Sequence, residues 1–192
     1  MTAEPDRRQQ LRFATTLEAG FACLDGSAGV WKADQRAGAA RKRILLTACS
    51  GGPDSMALAL LAEHYARQRG ISHKAVLIDH GLRADSADEA NRVAMRMRHL
   101  GIDFVSRRVD AIAPKGGIQH WARNQRYAIL TSVARETGAI LLLAHHEADQ
   151  VETVLMRLLH GSGLGGLGGI DATRCLAGIP ILRPLLDLKL FF

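Results

Sequence analysis

From Arg43 onward the apolar and polar positions of this chain fall into blocks that switch between two periods. Arg43–Cys49 is a short apolar run that reads as a buried strand. Asp54–Arg69 follows with Met56, Leu58, Leu60 and Leu61 at its start and reads as a helix. Lys74–Asp79 is a second strand, and Asp85–Leu100 a helix with Asp85 or Ser86 as its cap. Phe104–Val109 is a third strand. Ile118–Thr137 is a helix that Gly138 ends, with Trp121, Tyr127 and Leu130 among its apolar positions. Ala139–Ala144 is a fourth strand and Asp149–Leu159 a further helix. Before Arg43 the pattern is harder to read. Leu11, Phe13, Leu17 and Phe21 can line one helical face, after which Gly26, Gly29 and Gly38 interrupt any regular period.

Strands alternating with helices at this spacing predict an α/β fold, a doubly wound and mostly parallel sheet with flanking helices. Ligands of such sheets lie beyond the carboxyl ends of the strands. Three polar clusters follow strand ends here: the glycine loop at Ser50–Ser55, Asp79-His80-Gly81, and His145-His146. They are expected to converge on one edge.

Composition narrows this picture. The 192 residues fit one domain with a short appendage, and 47% hydrophobic content supports a substantial core. No apolar run approaches the length needed to span a bilayer, and the N-terminus, with Glu4, Pro5 and Asp6, has no signal-peptide pattern. Cys23, Cys49 and Cys175 lie far apart with no C-x-x-C, as expected for reduced thiols in the cytoplasm. A net charge of +6 and a pI near 9.7 suit a polyanionic partner such as nucleic acid, although aromatics for base stacking are few.

The sharpest chemical signal is Ser50-Gly51-Gly52-Pro53-Asp54-Ser55, a glycine turn between a strand and a helix. Adjacent glycines let the backbone approach an anion, and the open N–H groups of a helix start bind phosphate. The loop lacks the lysine of a Walker A motif and carries Asp54 instead, which suggests Mg2+ between carboxylate and phosphates.

Asp149 and Glu152 share a helix face at a helix start, where they can hold magnesium opposite Asp54, act on a proton, or complement the helix dipole. Arg123 and Arg126 also share a face and can neutralise phosphate charge or meet water. Arg92, Arg96 and His99 form a second basic stripe that can track RNA or face solvent. A zinc reading of His145-His146 is weak, because adjacent residues converge poorly and no third soft ligand is near. Gly161, Gly163 and Gly166 satisfy G-x-G-x-x-G but follow a helix, so a loop over the active edge, or a plain connector, is expected there.

The loop resembles the S-G-G-x-D-S loop of the PP-loop ATP pyrophosphatases, whose fold is adenine nucleotide alpha hydrolase-like. Five further segments resemble one family within it, the tRNA(Ile)-lysidine synthetases. They are Val76–Arg83, Ala122–Tyr127, Ala144–Thr153, and Gly161-Ser162-Gly163 with Arg183-Pro184-Leu185-Leu186. The resemblance implies that ATP adenylates the C2 oxygen of the wobble cytidine in the CAU-anticodon tRNA(Ile), releasing pyrophosphate. The ε-amine of free L-lysine then displaces AMP to give lysidine. It implies that Ser50, Gly51, Gly52, Pro53, Asp54, Ser55, Asp79 and His80 bind ATP. Asp54 and Asp149 would hold Mg2+, and Asp54, Arg126, Asp149 and Glu152 would be catalytic. Arg123 and Arg183 would meet RNA or phosphate. The implied setting is cytoplasmic, with no membrane partner, and a homodimer is left open.

The chain departs from the family at Ala148, where the first Asp of D-D-Q is usual, and at Asp187–Phe192, where family members continue into tRNA-gripping regions. The expected organisation is an N-terminal helical and irregular segment (1–40), a catalytic domain (41–186) and a truncated tail (187–192) without C-terminal tRNA-binding domains. Two rivals remain: a PP-loop tRNA thiolase, which would need a reactive sulfur such as Cys49, and a truncated ATP-binding module without turnover. Small-acid ligase chemistry is permitted by the loop alone.

Overall fold

The computed structural model describes residues 6–26, 44–159 and 169–186. The expectations placed on the glycine run up to 168 and on the tail from 187 lie outside the described residues. In chain order the elements are α1 (Arg7–Gly26), β1 (Ile44–Cys49), α2 (Pro53–Arg69), β2 (Ser72–Asp79), α3 (Ser86–His99), β3 (Phe104–Arg108), α4 (Ile118–Thr137), β4 (Ala139–Leu142), α5 (Glu147–Leu159), β5 (Thr173–Leu176) and β6 (Ile179–Leu182). The six strands form one sheet in the order β3-β2-β1-β4-β6-β5, parallel throughout except that β5 runs against β6.

Strand alternation divides the core. Leu45 on β1, Ile140 and Leu142 on β4 and Leu182 on β6 face α1 and α2, while Cys49, Ala75 and Leu77 meet α2 and α3. Leu46, Val76, Leu141 and Ile181 point the other way, onto Leu130, Val133 and Ala134 of α4. Helices therefore cover both faces, as the near-continuous apolar strands require. The strand order reverses direction between β1 and β4, and that switch point opens a crevice at the carboxyl edge.

The N-terminal pattern resolves into α1, on which Phe13, Leu17 and Phe21 are buried at intervals of four. Phe13 meets Tyr65 edge-on at 6.4 Å. Leu11 does not share that face; it is 70% exposed, because a step of two residues turns it away from the buried stripe. A second adjustment concerns α3. Asp85 is its N-cap residue but makes no side-chain capping bond, since φ −93° and ψ 4° differ from the extended backbone that aims a cap inward.

The β5–β6 hairpin has no counterpart among the elements expected from hydrophobic periodicity. Its strands are four residues each and its turn is Ala177-Gly178, with positive φ at both positions (50° and 78°). Pro180 sits within β6, which argues against a strand; it is tolerated because the β4 ladder begins only at Ile181.

Candidate functional site

Ser50–Ser55 closes on itself through one hydroxyl. Ser55 Oγ accepts from Ser50 N (3.1 Å) and donates to Gly52 O (2.9 Å), with Ser50 Oγ 3.2 Å away. Gly51 has φ +84°, and a Cβ there would lie 2.6 Å from Val93 Cγ2 on α3. The loop is thus pressed against α3 in a conformation that needs glycine. Gly52 caps α2 without a side-chain bond, and Pro53 occupies the first turn, where no N–H is missed.

Beside the loop lies a cavity of about 540 Å3 at the switch-point crevice. Ser50, Gly52, Asp54, Ser55, Asp79, His80, Arg126 and Asp149 all line it, so the segments that follow β1, β2 and β4 meet there as expected. Gly51 and Pro53 do not line it; Pro53 is exposed, and both shape the turn instead. Asp79 is buried and Oδ1 accepts from Gly81 N at 2.8 Å, which fixes the turn after β2. His80 Nδ1 is buried with no hydrogen-bond partner among the described residues, and its ring lies 6.4 Å from that of Trp121. Burial first, and then the Arg126 charge, hold the His80 pKa below its ordinary value. A neutral imidazole with an unpaired nitrogen is a ready contact for a polar group entering the cavity.

The start of α5 is a reciprocal cap. His146 N donates to Asp149 Oδ2 (2.8 Å), and Ala148 N donates to His146 Nδ1 (3.2 Å). The bond from Ala148 makes Nδ1 an acceptor, and Nε2 on the far side of the ring lies 3.4 Å from Asp54 Oδ2. His146 therefore sits between the two carboxylates assigned to magnesium. Both are partly exposed to the cavity (Asp54 32%, Asp149 35% of the side chain). Among the described residues no group of three or more His, Cys, Asp or Glu side chains forms a metal cage. Two hard carboxylates with phosphate oxygens and water nevertheless fit magnesium, which is usually held in that way.

A second cavity of about 310 Å3 adjoins the first. His145 and Asp149 line both, whereas Glu152, Thr153, Arg123, Arg157, Asp171, Arg174 and Arg183 line only the second. Arg123 and Arg126, which share a helix face, are thus divided between the two; Arg123 stacks on Tyr127 at 5.3 Å. Arg183 is 4% exposed, and its guanidinium donates to His145 Nδ1 and to Asp171 O. Burial, followed by the charge of Arg183, pushes the His145 pKa down to about 4. Sequence reasoning assigned no role to His145, Arg157, Asp171 or Arg174. His145 was visible within its motif, but the others became neighbours only through the hairpin.

Cys49 is buried behind the loop, 3.8 Å from Ser55 Oγ, and burial pushes its thiol pKa up. A buried, protonated thiol is a poor nucleophile.

The PP-loop domain family matches residues 30–190. The chain is 44% identical over 146 residues to a tRNA(Ile)-lysidine synthase of Bradyrhizobium diazoefficiens, covering 74% of this chain and 40% of that protein. It is 42% identical over 171 residues to one of Novosphingobium aromaticivorans, covering 87% and 51%. The chain thus spans about half or less of the length of these curated relatives. Among solved structures, the U34-tRNA thiolase NcsA from Methanococcus maripaludis with its [4Fe-4S] cluster superposes with a TM-score of 0.70 at 16% identity, covering 95% of this chain and 60% of that one. That likeness shows the fold alone.

Proposed function

Since the chain belongs to the PP-loop domain family, we propose that it carries the catalytic site for lysidine formation on tRNA(Ile), the reaction for which its curated relatives are named. ATP occupies the first cavity with its phosphates against Ser50–Ser55. The C2 oxygen of the wobble cytidine, in the CAU anticodon, attacks the α-phosphorus and pyrophosphate leaves. The ε-amine of lysine then attacks C2, loses a proton, and AMP departs with the C2 oxygen.

Each group has a task set by its position. The α2 start and the glycine backbone bind phosphate oxygens. Asp54 and Asp149 would hold Mg2+, whose charge offsets that on the phosphates. His146 stands beside Asp54, with Nε2 3.4 Å from Oδ2. Arg126, on the first cavity, meets charge developing at the α-phosphate. Asp79 holds the turn that presents His80 to the nucleoside. Glu152 and Asp149 offer carboxylates to the lysine ammonium, whose ordinary pKa near 10.4 makes a proton acceptor necessary. Arg123 and Arg183, on the second cavity, suit an RNA phosphate or a carboxylate. The observation that carries this reading is the shared wall: His145 and Asp149 border both cavities, so a nucleotide and a cationic second substrate can meet there.

The test is transfer of labelled lysine to tRNA(Ile) bearing CAU, with ATP and magnesium. Transfer with one AMP per lysine is expected, and Asp54→Ala should abolish pyrophosphate release while leaving the fold intact. ATP binding without transfer would refute the reading in favour of a nucleotide-binding module.

A further inference from the structure

Helix α5 carries Asp149 and Glu152, yet it buries no side chain. Apolar packing of the kind that fixes α2 or α4 is absent from its described face. Among the described residues, directed bonds tie it to the rest of the fold. Gln150 Nε2 donates to Ile170 O (3.2 Å), and Gln150 Oε1 accepts from Ile170 N. One side-chain amide thus satisfies both backbone groups of one residue, as a neighbouring strand would. Two turns along, Arg157 Nη1 donates to Gly169 O at 2.9 Å. Gly169 is suited to this approach: its φ is +68°, and a Cβ there would lie 2.7 Å from Gln150 Oε1. The next residues continue the chain of bonds, because Arg183 holds Asp171 O and Ala172 O and reaches His145.

We propose that Gln150, supported by Arg157, is a positioning residue that locks α5 to the 169–171 segment and so sets the spacing between the carboxylate wall and the arginine wall of the second cavity. Gln150 does not itself line either cavity. Asp149 and Glu152 stand on one side of the second cavity, and Asp171, Arg174 and Arg183 on the other. The amide is the tie that spans the gap between the elements bearing them. Gln150→Glu keeps the acceptor for Ile170 N–H but loses the donor and sets a carboxylate against Ile170 O. Gln150→Ala removes both bonds.

Two readouts test this. The first is amide exchange at Ile170, followed by NMR, which needs no assumption about substrate. Exchange should be at least tenfold faster in Gln150→Ala, which has no acceptor for Ile170 N–H, than in the unsubstituted chain, with the unfolding temperature nearly unchanged, and Gln150→Glu, which keeps that acceptor, should fall between the two. The second rests on the proposed function: the lysine KM in the tRNA transfer assay should rise at least tenfold, while the Kd for ATP with magnesium stays within twofold. Gly169→Ala, which pushes the amide away, should reproduce both effects. Equal exchange in the unsubstituted chain and both variants overturns the proposal. So does a parallel loss of ATP and lysine binding with falling thermal stability, since the residue would then support the fold in general. An exchange difference in a chain that transfers no lysine refutes the proposed substrate and supports the lock.

Discussion

Replacing Gly51 by alanine tests how the phosphate-binding loop is held. The added Cβ meets two penalties. A left-handed φ of +84° costs a non-glycine residue about 1 kcal/mol. A methyl 2.6 Å from Val93 Cγ2 overpacks a buried contact, for about 2 kcal/mol more. The sum of about 3 kcal/mol should lower the midpoint of thermal unfolding by roughly 6–12 °C in a chain of this size. A double-mutant cycle separates the two terms. Val93→Ala alone costs about 2 kcal/mol for lost burial, but it removes the atom that the new methyl would strike. In that background the second substitution should cost only the backbone strain, about 1 kcal/mol, leaving a coupling of about 2 kcal/mol. Urea unfolding of the four proteins measures each corner. Equal cost of Gly51→Ala in both backgrounds would show that α3 does not press on the loop, and the account of the glycine given above would fail.

Other outcomes follow from the same geometry. His145 has a folded-state pKa near 4 against an ordinary 6.5, so between those values the unfolded chain binds more protons and stability falls as pH falls. Partial exposure discounts the effect to about 2 kcal/mol between pH 7 and pH 4. His73 and His80 are shifted in the same direction, so the contribution of His145 is read as the difference between the unsubstituted chain and His145→Asn in urea unfolding across that range. Arg183→Met should raise the His145 pKa, followed by NMR titration, and destabilise the chain by about 2 kcal/mol through the lost bond to Asp171 O. A thiol reagent should modify exposed Cys23 and Cys175 rapidly and Cys49 only after unfolding, and Cys49→Ala should leave lysine transfer intact.

The parallel sheet was legible because its strands are continuous apolar runs separated by helical periods and glycine turns. The nucleotide side of the site was legible for a related reason: the loop, Asp79-His80 and His145-His146 each sit at a strand end, and topology brings strand ends together. The second cavity was not. Its far wall depends on a hairpin of two four-residue strands, one containing Pro180, joined by Ala177-Gly178, and no period of hydrophobicity marks so short a unit. The ambiguity at Asp149 also has a physical basis. Oδ2 accepts from the N–H of His146 while the carboxylate lines both cavities, so the helix-capping and chemical readings describe one side chain. Arg123 and Arg126, one turn apart on α4, line different cavities, which spacing alone does not report.

The connection from β4 to β6 gives the fold a modular character. The chain leaves β4 after Leu142 and enters its direct neighbour β6 at Ile179, adding only the edge strand β5 to the sheet on the way. Between those points lie His145, Asp149, Glu152, Arg157, Asp171 and Arg174, most of the second cavity. The phosphate loop, the turn after β2 and α4 lie outside that excursion. An excursion bounded by adjacent strands can be exchanged without disturbing the five parallel strands. Grafting residues 143–178 between PP-loop domains should therefore exchange most of the second cavity together with Asp149, while the phosphate loop, Asp79 and Arg126 stay in place. On this view new acceptors can evolve within a single crossover, provided that its first turn of helix keeps the carboxylate that the two cavities share.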